Sequence, residues 1–90
     1  MVRARLTPQE IDRGIVLGAA LRAARGTRSA VEVAARAGLS IETVRKIEHG
    51  LVPTPAFFTV AAMATACGID LDELACQVRA GTTERERLSA

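Results

Sequence analysis

Ninety residues, 49% of them hydrophobic, can close one small core and leave little for a second. The aromatic residues are only Phe57 and Phe58, and the Ala, Val, Leu and Ile stretches lack the alternation of half-buried strands, so a β-rich fold is excluded and the class is all-α. A formal net charge of +2 is too small to identify a polyanionic partner by itself.

Thr7-Pro8-Gln9-Glu10 offers a hydroxyl cap, a proline at the first helical position and a glutamate placed to reach back. A first helix is expected from Pro8 to about Arg25, with Ile11, Ile15, Gly18, Ala19 and Leu21 on its buried face and Gly26 as its stop. Gly14 and Gly18 either weaken this helix or permit close packing. Ser29-Ala30-Val31-Glu32 repeats the capping pattern for a second, short helix whose inward stripe is Val33, Ala34 and Ala37. Gly38 stops it, Leu39 plugs inward, and Ser40 caps a third helix from Ile41 to Glu48 with Val44 and Ile47 buried.

After the loop Leu51 to Thr54, a fourth helix is expected from Pro55 to Cys67, apolar nearly all round and closed by Gly68. Asp70-Leu71-Asp72-Glu73 opens a fifth, whose Leu71, Leu74 and Val78 pack back on the fourth and which ends near Ala80. The chain thus divides into a basic arm over 1–7 containing Arg3 and Arg5, one domain over 8–81, and a tail over 82–90 that is frayed or a weak helical extension.

Charge is unevenly spread. Residues 1 to 28 carry six arginines against Glu10 and Asp12, residues 29 to 50 are balanced, and from 51 to 81 only Arg79 faces Asp70, Asp72 and Glu73. Cys67 and Cys76 have no His or Cys at metal-ligand spacing, so neither a metal site nor a disulfide framework is expected, and a reduced, intracellular protein fits. Met1 to Thr7 lacks the apolar run of a signal peptide, and Ala56 to Cys67 is too short to span a bilayer. His49 has no nucleophile in a readable arrangement, so neither catalysis nor a cofactor is expected.

Two short helices joined at a glycine occur widely, and an ordinary helical hairpin has the same outline. The residue types favour a more specific reading: Ala34 is small where the helices approach, Gly38 sits in the turn, and Val44 is branched where the second helix packs on the first. With Leu21-Arg22, Val33 to Ser40, Thr43 to Gly50, Pro55 and Ala66 to Leu74 in that order, the chain resembles the Cro/phage-repressor type of helix-turn-helix proteins, the xenobiotic-response-element family. The resemblance implies a five-helix, lambda-repressor-like domain, with the helix-turn-helix at helices 2 and 3, that binds double-stranded DNA as a homodimer. In that family the turn and the exposed face of the third helix read bases, which here are Ser40, Ile41, Glu42, Thr43 and Lys46, with Arg45 and His49 nearer the backbone. Glu48 would be held by an arginine of the first helix, for which Arg22 is the matching residue. Phosphate contacts fall to Arg28, the backbone at Ala30, Arg36 and the loop containing Val52. The family's common glutamine at the start of the second helix is replaced by Ala30.

The function implied is that of a small cytoplasmic, nucleoid-associated transcriptional regulator, a repressor. The alternative is a protein-interaction module, such as an antitoxin docking a toxin or a larger regulator. The fourth helix supplies a dimer or partner face of Phe57, Phe58, Val60 and Met63, more apolar surface than one small core easily hides.

Overall fold

A computed structural model describes residues 5–89. Five helices follow one another: α1 (Pro8–Arg25), α2 (Ala30–Ala37), α3 (Ile41–Glu48), α4 (Phe57–Cys67) and α5 (Leu71–Ser89), with no strand among the described residues. The all-α class and the five-helix order are as the sequence predicts. Arg3 of the expected arm lies outside the described residues.

Local chemistry sets the helix starts. The Thr7 hydroxyl accepts from the Glu10 amide at 3.1 Å while the Glu10 carboxylate accepts from the Thr7 amide at 2.8 Å, closing a reciprocal capping box. Ser29 and Ser40 accept from the amides of Glu32 and Thr43, at 3.0 and 3.1 Å. Gly38 turns the chain between α2 and α3 at φ 71°, a left-handed conformation that side chains resist.

The core gathers Leu21 from α1, Val33 and Ala34 from α2, Val44 and Ile47 from α3, four residues of α4 and Leu74 from α5. Met63 is wholly buried in it, at 0% exposure, which removes it from the partner face where the sequence placed it. An apolar helix must turn one side inward, and α4 packs on both α1 and α2 through the side bearing Met63, Ala64 and Cys67.

Three other expectations are corrected. Helix α1 turns its glycines inward: Gly14, Gly18 and Leu21 are buried, whereas Ile11 and Ala19 are exposed. A Cβ at Gly14 would stand 2.5 Å from the Pro53 Cα, and one at Gly18 would meet the Ile47 carbonyl, so α1 lies backbone against backbone on the end of α3 and the loop beyond it. Helix α4 begins at Phe57 instead of Pro55, because Ala56 is still extended at ψ 144° and its methyl offers no cap. Helix α5 runs through Gly81 to Ser89, so what reads as a tail is its second half. Gly81 is where it rests on α1, since a Cβ there would stand 2.6 Å from Val16 Cγ1. Beyond that point Arg85 reaches Asp12 at 3.1 Å, so packing on α1 carries the helix past a residue that would otherwise break it.

Candidate nucleic-acid interface

Helix α3 has two unlike sides. Val44, Ile47 and Glu48 are buried, while Glu42, Arg45, Lys46 and His49 are exposed. Thr43 and Ile41 are half-buried, and Ile41 packs against the core, so only part of its side chain is offered outward. At the start of the helix the Ser40 and Thr43 hydroxyls bond each other at 2.8 Å, which spends Thr43's polar atom on the cap and leaves its methyl as the simpler contact group. Lys46 Nζ lies 3.3 Å from the Glu42 carboxylate one turn back, an exposed pair that solvent weakens and that a stronger partner can exchange. The His49 Nδ1–H donates to the Arg45 carbonyl at 2.8 Å, fixing the ring so that Nε2 is its remaining polar atom.

The end of α3 is tied to α1 by an ion pair, but through a different residue from the one expected. Arg25 donates from Nε and Nη2 to the two Glu48 carboxylate oxygens at 2.8 and 3.0 Å, and from Nη1 to the Arg28 carbonyl at 2.8 Å. Arg22 is exposed and takes part in no ion pair among the described residues. Helical register explains the exchange. Gly18 touches the end of α3 and Leu21 enters the core; Arg25 continues that face, and its side chain leans back toward the helix start to meet Glu48. Arg22 is one residue off the face. The Glu48 carboxylate, hydrogen-bonded to the Arg25 guanidinium, holds its pKa above the ordinary value against the opposing effect of partial burial.

A family model described as a helix-turn-helix domain matches residues 16–76, more than half of the chain. The chain belongs to the helix-turn-helix domain family. No curated protein matches it. Within the helix-turn-helix, α2 is the supporting helix and α3 the presented one, and the domain is of the DNA-binding kind.

The expected phosphate contacts are differently placed. Arg36 is exposed and sits 3.3 Å from Glu32 on the same helix, and Arg45 is exposed without an ion pair among the described residues. Arg28 is turned the other way: its Nη1 donates to the Cys67 carbonyl at 3.1 Å, so it closes the C-terminal end of α4 onto the start of α2. Ala30 opens α2 half-buried, and Val52 packs against the core, leaving only backbone to offer at those two places.

Away from α3, Leu17, Val60, Leu74 and Val78 floor an open apolar groove of about 440 Å³ walled by Phe57 and Arg79. Phe57 and Phe58 are 63% and 82% exposed, edge to face with centroids 5.2 Å apart. No charged residue occurs between Leu51 and Ile69. Cys67 is buried with its thiol pKa raised, first by burial and then by the Glu48 charge, whereas Cys76 is exposed. Among the described residues no helix is long and apolar enough to cross a membrane, and no group of His, Cys, Asp and Glu could hold a metal ion.

Proposed function

We propose that this chain is a sequence-specific regulator of transcription, a repressor that occludes a promoter on the nucleoid of the cytoplasm, and that α3 enters the major groove of double-stranded DNA. The observation that carries the reading is the two-sided character of α3. Val44 and Ile47 anchor it, Arg25 and Glu48 pin its end, and a row of polar side chains stands outward. In the groove Lys46 leaves Glu42 and donates to guanine O6 and N7, while the freed Glu42 carboxylate accepts from cytosine N4. Ile41 and the Thr43 methyl meet thymine methyl groups, and Ser40 flanks them. Arg45, His49, Arg36 and the backbone amides at Ala30 and in the loop around Val52 take phosphates. Arg22, released from the expected pairing, joins them.

Two recognition helices one turn of DNA apart require a homodimer, whose contact face we place at Phe57, Phe58 and Val60. The same exposed apolar surface favours a second reading, a module that docks a toxin or a larger regulator.

Selection from a random duplex pool, followed by binding across a salt series, tests the DNA reading. Lys46→Ala should cost about 1 to 3 kcal/mol on the selected site and relax its base preference. Arg45→Ala should weaken all duplexes alike and reduce the salt slope by about 1. A folded protein with no salt-sensitive binding to any duplex would sink this reading and leave the docking module in its place.

A further inference from the structure

We propose that α5 is the two-fold seam of the homodimer, packed antiparallel on α5 of a second copy with the axis between Ala75 and Cys76. The inference rests on the homodimer reading above and adds the orientation and the contacts.

Asp72, Ala75 and Arg79 follow one another at intervals of three and four, so they form one stripe along α5, and all three are exposed. Neither Asp72 nor Arg79 has an ion-pair partner among the described residues, although Arg79 leans on the Cys76 sulfur at 3.6 Å. When the helix is laid against a reversed copy about that axis, Asp72 falls opposite Arg79 of the partner subunit, and symmetry repeats the pair. Small Ala75 at the centre lets the helices approach.

The stripe also borders the apolar groove, whose wall includes Ala75 and Arg79 and whose floor includes Val60 and Leu74. A second α5 lying along it covers that floor and the flank of Phe57, while no residue of α3 lines the groove, so both recognition helices stay free. A second register, pairing Arg79 with Glu86 of the partner subunit, is disfavoured. There Pro8, Gln9 and Asp12 of α1 share a recess with Glu86 and Ser89, and the start of α1 stands where the second helix would lie.

Sedimentation equilibrium on the full chain tests the seam, with circular dichroism confirming that each variant is folded. Asp72→Arg and Arg79→Asp should each raise the dimer dissociation constant about tenfold or more, because each creates two like-charge contacts, and the double variant should restore it. A bismaleimide with a short spacer should join two copies through Cys76, the exposed cysteine, and not through buried Cys67. A wild-type dimer that ignores both single reversals, or that yields no covalent dimer through Cys76, overturns the seam and leaves the homodimer standing. A wild-type monomer that still binds duplexes overturns the homodimer and the seam together.

Discussion

Glu48 is the most buried charged side chain of the described residues, with 4% of its side chain exposed, and its stability depends on which arginine meets it. Removing one partner of such a pair strands a charge in the interior, so Arg25→Ala should destabilise the fold by about 3 kcal/mol. In a domain of this size that lowers Tm by more than roughly 10 °C. Arg22→Ala should change stability by no more than about 0.5 kcal/mol, and a thermal melt of the two variants side by side separates the roles. A large loss from Arg22 instead would restore the pairing that the family resemblance implies. The need for an arginine on the first helix was legible in the sequence; which one was not, because a shift of three residues depends on how α1 rotates on α3. That rotation is set by Gly14 and Gly18, which carry no side chain for a periodicity reading to weigh. The cap at the other end of α1 was fully legible, since it is made within four residues. There the hydrogen bond from the Thr7 amide lowers the Glu10 pKa, and the Thr7 side chain adds to it. A carboxyl depressed in the folded state stabilises above its ordinary value, about 4.3, and loses that contribution as pH falls through the depressed value. Glu10→Gln should therefore be less stable than wild type near neutral pH, with the gap closing in acid; a gap that persists at low pH would contradict the charged cap.

Among the elements, α1 and α2 use glycine for opposite reasons, and alanine substitution distinguishes them. At Gly18 an added methyl has no room, because the Ile47 and Glu48 carbonyls lie against it. At Gly38 nothing lies within 4 Å, and only the left-handed backbone at φ 71° resists. Gly38→Ala should thus cost about 1 kcal/mol and leave α3 where it is. Gly18→Ala should cost about 1 to 3 kcal/mol despite alanine's better helix propensity. It should also shift the amide resonances of Ile47 to Gly50, since the end of α3 must move. Equal costs with unchanged spectra would mean that α1 and α3 can part freely. The turn glycine was visible from its place between two capped helices. Gly81 misled for a related reason: read locally it stops a helix, but contact with Val16 makes the absent side chain an advantage.

For the whole molecule, the basic first half and the apolar second half become two separate surfaces, with α3 presented on one side and the groove between α1, α4 and α5 on another. The core that joins them is closed by α5. The family model's match stops at residue 76, whereas α5 continues to Ser89, so the extension is a feature this chain adds to the family's pattern. Its two halves should differ in what they contribute. After Thr82 every described residue is exposed, and the main tertiary tie is the Arg85 to Asp12 pair, itself partly solvated. Ending the chain after Thr83 should therefore cost less than about 1 kcal/mol. The first half instead carries buried Leu74 and half-buried Val78, which cover Leu17 and Val60. Ending the chain after Asp70 removes this cover and strips one side of the core, a loss comparable with the roughly 5 to 15 kcal/mol that holds a domain folded. Urea denaturation should give a single cooperative transition near the wild-type midpoint for the longer piece and none for the shorter. A cooperative transition from residues 1–70 alone would show that four helices suffice, and that α5 is an appendage instead of the closing wall of the core.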